Sequence, residues 1–276
     1  MRIAVTGARG QLGRSLQQIL GHERVMPLTL PEWDVADPAI CDRLADLKPE
    51  VVLHAAAMTN VDGCELNPED AYRVNALGTR NVALGAREAG AALLYVSTDY
   101  VFDGQADTPY WEFDTPRPLS VYGKSKFAGE CFVRHLLNRY YIVRTAWVYG
   151  PGGTNFVEKV LRLASERPSL SMVVTEFGSP TYTVHLAEAI ARLIRTQLYG
   201  TYHLTNTGLC SRYEFAQAIL NLAGSPDYPL QASTSYPRPA PVPARAELRN
   251  FCAAEIGITL PPWEEGLEAY FQARGR

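Results

Sequence analysis

The 276-residue sequence is poor in the features that mark membrane proteins, nucleic-acid-binding proteins and metalloproteins. No uninterrupted apolar stretch approaches the roughly 18 residues expected of a membrane-spanning helix. The net charge of -3 provides no basic surplus that would attract nucleic acid or an anionic membrane. The five histidines and five cysteines show no His-x-x-x-His, Cys-x-x-Cys or mixed spacing that builds a metal site. We therefore expect no membrane, nucleic-acid or metal partner.

Cysteine usage and the first residues of the chain bear on its compartment. The five cysteines are odd in number and scattered, which is typical of reduced thiols rather than of a disulfide framework. Residues 1–7 run straight into a predicted strand and turn, without the apolar core of a secretory signal. The hydrophobic fraction of 47% and the charged fraction of 20% are those of an ordinary globular protein. These features predict a cytoplasmic protein with a substantial core.

Short apolar runs alternate with longer segments of helical periodicity through the first 150 residues. Strands are predicted at residues 2–6, 24–28, 50–53, 92–97 and 140–144. The clearest helical segments between them are residues 11–20, 68–89 and 122–137. This alternation predicts an α/β fold, a doubly wound parallel sheet of the Rossmann type with helices on both faces.

The pattern loosens after Gly150. Helices are predicted at residues 156–164, 184–198 and 213–222, with short strands between them. The proline-rich residues 226–243 predict an extended crossing or loop, because proline disrupts both helices and strand ladders. We expect a dinucleotide-binding domain at residues 1–150 and a smaller substrate-binding region at residues 151–276, with the chain free to cross between them more than once.

A glycine-rich turn between the first strand and the first helix predicts a dinucleotide site. Glycines at these positions let the backbone turn tightly and approach a pyrophosphate, whose charge is favoured by the helix N-terminus. A purely structural turn is the alternative. The predicted cofactor-binding residues in and beyond the turn are Gly7, Gly10, Gln11, Leu12, Gly13, Asp34, Val35, Ala55, Ala56, Ala57, Met58, Tyr122 and Lys126.

The second strand bears on the choice between NADPH and NADH. The acidic residue that usually follows it and binds a ribose 2′-hydroxyl is missing, since Leu28-Thr29-Leu30 stands there. Arg9 in the glycine turn could face a 2′-phosphate instead. We therefore expect NADPH, with NADH as the alternative cofactor.

Tyr122 and Lys126 are the candidate proton-transfer pair. Residues four apart lie on one helix face, and only four of the 26 basic residues are lysines. A cation about 4 Å from a phenol could supply the roughly 4 kcal/mol that brings its pKa from about 10 to about 7. Thr98 would donate a hydrogen bond to the same carbonyl oxygen. The alternative is a solvated helix face on which the two residues align by chance.

Several motifs follow one another along most of the chain. They are Gly10-Gln-Leu-Gly13, Ala55-Ala-Ala57 with Val61-Asp62, Ser97-Thr-Asp-Tyr-Val-Phe-Asp-Gly104, Tyr122-Gly-Lys-Ser-Lys-Phe-Ala-Gly-Glu130, Arg144-Thr-Ala-Trp-Val-Tyr-Gly150, Asn155-Phe156 and Gly178-Ser-Pro-Thr181. In this order they resemble the extended short-chain dehydrogenase/reductase superfamily and, within it, the dTDP-4-dehydrorhamnose reductase family. The most specific is the string that begins at Ser97.

The resemblance implies a reaction and a set of residues. The reaction is NAD(P)H-dependent reduction of the C4 ketone of a dTDP-linked 4-keto-6-deoxy sugar, with Tyr122 as proton donor. The implied catalytic residues are Thr98, Tyr122 and Lys126, and the implied substrate-binding residues are Thr98, Asp99, Tyr100, Trp147 and Asn155. A homodimer is compatible with the resemblance. Thr175-Glu176, Val242 and Met58 depart from the family pattern, which leaves the exact sugar and the subunit contacts open.

Two other functions remain open at the level of sequence. One is a different nucleotide-sugar reductase, epimerase or dehydratase of the same superfamily. The other is a non-catalytic regulatory subunit like the methionine adenosyltransferase beta subunit, which shares the architecture. The intact set of Thr98, Tyr122 and Lys126 favours an enzyme.

Overall fold

The computed structural model describes residues 1–275, which form an α/β fold. The strands are β1 (Arg2–Thr6), β2 (Arg24–Leu28), β3 (Val51–His54), β4 (Ala92–Thr98), β5 (Tyr140–Thr145), β6 (Val148–Tyr149), β7 (Leu170–Val173), β8 (Phe177–Gly178), β9 (Thr181–Tyr182), β10 (Gly200–His203), β11 (Cys210–Ser211) and β12 (Leu230–Ser233). The α-helices are α1 (Gln11–Ile19), α2 (Ile40–Asp46), α3 (Val61–Leu66), α4 (Pro68–Tyr72), α5 (Gly78–Glu88), α6 (Val121–Leu136), α7 (Phe156–Glu166), α8 (Thr183–Leu193), α9 (Arg212–Leu222), α10 (Phe251–Glu255) and α11 (Trp263–Arg274).

Six strands form the central sheet, in the order β10, β5, β4, β3, β1, β2, and all their pairings are parallel. The chain moves outward from β1 to β2 on one side and from β3 through β5 on the other. The direction therefore reverses between β1 and β3, where the carboxyl ends of the strands leave a crevice that suits a ligand. The predicted doubly wound parallel sheet is confirmed.

Helices cover both faces of this sheet. One core joins the sheet to α1 and α8, with Leu16 and Ile190 fully buried in it. The other joins it to α2, α5 and α6, with Leu44 and Val82 fully buried. β3 has four successive buried residues because both of its faces are covered, and this accounts for its continuous apolar run.

The helix predicted over residues 68–89 is interrupted. α4 ends at Tyr72, residues 73–77 form a π-helical turn, and α5 begins at Gly78. Asn75 lies in this turn. Its buried side chain accepts a hydrogen bond from the backbone N–H of Met58 and donates one to the carbonyl of Met58. Single π turns of this kind often lie at functional sites. Periodicity alone could not indicate the interruption, because the apolar spacing continues through it.

The second half of the chain builds a further layer around α7, α9 and α11, whose own core includes Phe215 and Leu267. Its chain also returns to the main sheet, where β10 pairs with β5. Residues 226–243, predicted as an extended crossing or loop, contain one short strand that the sequence did not indicate, since β12 lies there and pairs with β7. Its four residues contain no proline, and Pro229 stands just before them. The division at residue 150 stays a prediction.

Candidate active site

A cavity of about 850 Å³ opens at the carboxyl ends of the central strands. Its walls come from the glycine turn after β1, from residues that follow β2 and β3, from the end of β4 and from α6. The opposite wall is formed by residues of the second half of the chain, including Trp147, Asn155 and Arg212. The cavity thus lies between the sheet and the predicted substrate-binding region, and its size is typical of ligand sites.

The glycine turn is shaped for close approach of a ligand. Gly7 has a φ of +67°, and a Cβ there would lie 2.7 Å from the backbone nitrogen of Ala56. A Cβ on Gly13 would lie 2.3 Å from the carbonyl oxygen of Gly7. No side chain caps the N-terminus of α1, so the first N–H groups of the helix stay available beside the cavity. The turn fits the pyrophosphate of a dinucleotide.

Most predicted cofactor residues line this cavity. They include Gly7, Gly10, Gln11, Leu12, Gly13, Asp34, Val35, Ala55, Ala56, Ala57, Tyr122 and Lys126. Met58 is not in the lining, and its backbone is held by Asn75. The side chain of Gln11 is engaged within the protein, because its Oε1 accepts from the N–H of Gly150 at 2.8 Å. Gln11 therefore joins the glycine turn to the opposite wall.

Local structure brings Thr98, Tyr122 and Lys126 into the same wall of the cavity. Thr98 is the last residue of β4, and Tyr122 and Lys126 lie one turn apart near the start of α6. Ser120 caps α6 by accepting a hydrogen bond from the N–H of Gly123 at 3.2 Å. The cap fixes the helix start just before Tyr122, so both side chains face the cavity.

The ammonium of Lys126 is buried and engaged with the backbone and an aromatic ring. Its Nζ donates to the carbonyl of Val96 at 2.7 Å and lies 4.2 Å from the ring centre of Tyr95. Burial lowers the pKa of Lys126 to about 7, although the nearby carboxylate of Glu130 opposes the shift. Lys126 therefore loses its charge more readily than an exposed lysine.

The prediction that Lys126 brings the pKa of Tyr122 down toward about 7 is wrong for this structure. Burial raises the pKa of Tyr122 above its ordinary value, and a hydrogen bond with Thr98 offsets only part of the rise. The physical reason is that desolvation penalises a phenolate while the ammonium of Lys126 is directed at Val96. Tyr122 is consequently held as a neutral phenol, the form that can donate a proton.

Thr98 and Asp99 form a second polar pair in the cavity. The hydroxyl of Thr98 donates to Oδ1 of Asp99 at 2.9 Å, while Oδ2 of Asp99 is buried without a partner among the described residues. Burial raises the pKa of Asp99 to about 7. An unpartnered carboxylate oxygen in a cavity is suited to accepting hydrogen bonds from ligand hydroxyls.

The predicted substrate residues are all in the lining, but they differ in what they can offer. Trp147 has a φ of +45°, and the guanidinium of Arg212 lies 3.4 Å from its ring centre. One face of the indole is thus covered by an arginine rather than open to a sugar. Asn155 caps α7 and donates to the carbonyl of Gly150 at 2.9 Å. Its side chain therefore serves chiefly to hold the loop.

The sequence interpretation missed three residues that the structure places at or behind the site. Arg212 and Thr145 line the cavity, and the hydroxyl of Thr145 is buried without a partner. Asn75 lies behind α6 and donates to Oγ of Ser125 at 3.1 Å. Thr145 was within reach, because it follows a predicted strand at the same sheet edge as Thr98. Arg212 and Asn75 carried no signal, since their partners are remote in the chain.

Two structural findings bear on metals and membranes. Within residues 1–275, no group of three or more His, Cys, Asp or Glu side chains comes together in a way that could hold a metal ion. Over the same residues, no helix has the length and apolar character needed to cross a bilayer.

Comparisons with known proteins agree along the whole chain. The spore coat polysaccharide biosynthesis protein SpsK of Bacillus subtilis is 41% identical over 279 residues, which cover 99% of this chain and 98% of that protein. The crystal structure of a dTDP-4-dehydrorhamnose reductase from Clostridium acetobutylicum is 40% identical, with a TM-score of 0.96 over 100% of both chains. The reductase from Bacillus anthracis, in complex with NADP, is 40% identical, with a TM-score of 0.94 over 99% of both chains.

The family model described as the RmlD substrate binding domain matches residues 1–275. The resemblance drawn from the motifs is thereby confirmed. Together with the parallel sheet, the glycine turn and the cavity between them, the match establishes that the chain belongs to the RmlD substrate binding domain family.

Proposed function

We propose that this protein uses NADPH to reduce the C4 ketone of dTDP-4-dehydro-L-rhamnose to the alcohol of dTDP-L-rhamnose. The observation that carries the proposal is the single cavity in which the glycine turn meets Thr98, Tyr122 and Lys126. Relatives that are 40% identical over 99–100% of their length are named as dTDP-4-dehydrorhamnose reductases, and one of them was solved with NADP.

The residues of the first half of the chain fit a nicotinamide dinucleotide. The turn from Gly7 to Gly13 and the uncapped start of α1 would hold its pyrophosphate. Arg9 and Thr29 line the part of the cavity that follows β1 and β2, and no carboxylate replaces Thr29 to repel a 2′-phosphate. When bound, the reduced nicotinamide supplies the hydride that reaches C4.

Tyr122 supplies the proton that completes the reduction. Its raised pKa keeps the phenol protonated at neutral pH, and the ketone oxygen takes that proton as C4 becomes an alcohol carbon. A phenolate is left on Tyr122 and is reprotonated from solvent. The ammonium of Lys126 is directed at Val96 in this structure, so its charge would act on that phenolate only across one helical turn. The hydroxyl of Thr98, which donates to Asp99 here, would turn to the ketone oxygen and orient it.

The charge and cysteine content of the chain bear on the class of ligand and on the compartment. A nucleotide-linked sugar, rather than nucleic acid, suits a chain with a net charge of -3 and a cavity of about 850 Å³. We place the reaction in the cytoplasm, where five free cysteines would stay reduced. A homodimer is the assembly we propose.

The substitution Tyr122→Phe tests the chemistry. We expect kcat to fall by about 10²- to 10⁴-fold, because the general acid is removed while the ring and its packing remain. The measurement is the loss of nicotinamide absorbance with NADPH and dTDP-4-dehydro-L-rhamnose. The affinity for NADPH, followed by fluorescence, should change little.

Tyr72→Phe is the matched control, because Tyr72 is 38% exposed on α4 and lies outside the cavity. An unchanged kcat for Tyr122→Phe would contradict the proposed role of Tyr122. Turnover without stoichiometric NADPH consumption would indicate an epimerase. The absence of any turnover in the unmodified protein, together with intact NADPH binding, would favour a regulatory subunit.

A further inference from the structure

Arg212 is a cationic side chain of the cavity to which the proposed reaction assigns no task. It is the first residue of α9, after Ser211 at the end of β11. Its guanidinium lies 3.4 Å from the ring centre of Trp147 and 5.1 Å from that of Phe156. Stacking of this kind holds the planar group in one orientation while its N–H donors point outward in the plane. The side chain therefore enters the cavity already oriented.

The donors of this guanidinium are largely uncommitted. Its one ionic partner among residues 1–275 is Glu176, and the nearest approach, between Nε and Oε2, is 3.8 Å. That separation exceeds the usual length of an N–H···O hydrogen bond. The side chain is 18% exposed and lines the cavity. An oriented guanidinium with open donors is suited to binding a carboxylate or a phosphate.

The cationic side chains that line the cavity lie in two regions, each of which could bind an anion. Within the described chain, the cationic side chains in the lining are Arg9, Lys126 and Arg212. Arg9 lies in the glycine turn, where the dinucleotide phosphates are expected, and Lys126 is committed to Val96 and Tyr95. A nucleotide sugar carries a second diphosphate. Arg212 is the cation that remains for it, on the wall beside Asp99 and Trp147.

We infer that Arg212, held against Trp147, binds the diphosphate of the nucleotide sugar. This inference rests on the proposed function for the identity of the ligand and extends it to a specific anion contact. It divides the substrate half of the cavity into two parts. The unpartnered oxygen of Asp99 accepts from sugar hydroxyls, and the fork of Arg212 donates to the diphosphate.

Direct binding tests the inference without requiring turnover. The protein saturated with NADP⁺ is titrated with dTDP and with thymidine, which has the same base and sugar but no phosphate. The unmodified protein should bind dTDP at least tenfold more tightly than thymidine. Arg212→Gln should weaken dTDP binding at least tenfold and leave thymidine binding unchanged. Arg212→Lys should recover part of the loss, because it restores the charge without the planar fork.

Arg249→Gln is the matched control. Arg249 also stacks on a tryptophan, with its guanidinium 4.1 Å from the ring centre of Trp111, but it lies outside this cavity. Its substitution should leave both affinities unchanged. The NADPH affinity and thermal unfolding midpoint of each variant establish that the fold is retained.

The outcomes separate this inference from the proposed function. Equal dTDP affinities for the unmodified protein and Arg212→Gln would overturn the inference, whatever the turnover. A variant that lost NADPH affinity but kept dTDP affinity would also overturn it, since the arginine would then serve the cofactor phosphate. If the unmodified protein failed to reduce the keto sugar, the proposed function would fall, and selective loss of dTDP binding in Arg212→Gln would still support the diphosphate site.

Discussion

Burial sets the protonation states of the individual site residues. It raises the pKa of Tyr122 and brings the pKa of Asp99 up to about 7, because both groups would be anionic when ionised. It brings the pKa of Lys126 down to about 7, because that group would be cationic. The same physical cause thus leaves a neutral proton donor beside two groups that titrate near neutral pH. Each titration should affect a different kinetic constant.

The protonation state of Asp99 should make the KM for the keto sugar depend on pH. An ionised Asp99 only accepts hydrogen bonds, so it should bind sugar hydroxyls better than the neutral acid. Its folded pKa of about 7 places the change in the assay range. We expect KM for the keto sugar to fall as pH rises through 7. The Lys126 titration should appear instead in kcat, which declines over the same range as the ammonium loses its charge.

Asp99→Asn tests this assignment, because an amide of nearly the same shape does not titrate. The variant should have a KM that is independent of pH between 6 and 8, with the kcat profile retained. A variant whose KM kept the pH dependence of the unmodified protein would rule out Asp99 as the titrating group.

At the scale of elements, the π-helical turn between α4 and α5 supports the catalytic helix. Asn75 in this turn accepts from the N–H of Met58 at 2.8 Å and donates to its carbonyl at 3.0 Å. It also donates to Oγ of Ser125, which in turn donates to the carbonyl of Tyr122 at 2.9 Å. One side chain therefore connects the loop after β3 with the first turns of α6.

We predict that Asn75→Ala destabilises the protein by about 2 kcal/mol, because it leaves the partly buried N–H of Met58 without a partner and its carbonyl with only the weak donor Sγ of Cys64, 3.5 Å away. The measurement is the urea midpoint of unfolding. kcat should fall as well, since Oγ of Ser125 loses the hydrogen bond that Asn75 donates to it. Asn67→Ala is the control, because Asn67 is exposed and its side chain makes one hydrogen bond, to the carbonyl of Gly63 at 3.2 Å. Equal midpoints for the two variants would contradict the prediction.

The sequence predicts those strands and helices whose formation depends on a local pattern of apolar and turn residues. The predicted bounds of the strands from β1 to β5 agree with the structure within one residue at each end, because each strand is a short run bounded by turns. The runs of β1, β3, β4 and β5 are also buried on both faces, whereas β2 lies at the edge of the sheet and is only partly buried. The break at residues 73–77 and the strand β12 were missed. Both depend on partners far along the chain, Met58 for the break and β7 for the strand, and no local pattern records such partners.

At the scale of the molecule, some site residues belong to local sequence motifs, whereas others reach the site only through long-range folding. Short local motifs of the sequence indicate the glycine turn, Thr98, Tyr122 and Lys126, and the structure brings all of them into the lining of one cavity. Arg212 reaches this edge only because β11 pairs with β8 and the second half of the chain folds back over the sheet. Residue protonation was also beyond the sequence, since burial reversed the expected shift of Tyr122.

Buried histidines should control the acid stability of the whole fold. His54 and His203 each have a pKa lowered to about 3, mainly by burial, against an unfolded value of about 6.5. Between these values the unfolded chain binds protons that the folded chain does not. The free energy of unfolding should therefore be highest above pH 6.5. It should decrease as pH falls below that value, by up to about 1.4 kcal/mol per pH unit for each histidine.

Asp99 should oppose this loss, and its removal gives the test. Its folded pKa of about 7 lies above the unfolded value, so between about pH 4 and 7 the folded chain holds a proton that the unfolded chain has released. Asp99→Asn should therefore steepen the decline in unfolding free energy between pH 6.5 and 5 by roughly 1 kcal/mol per pH unit. Urea denaturation at three pH values in this window measures both slopes. A flat profile in both proteins would mean that His54 and His203 titrate normally in the folded state, and that burial does not control the charge of this core.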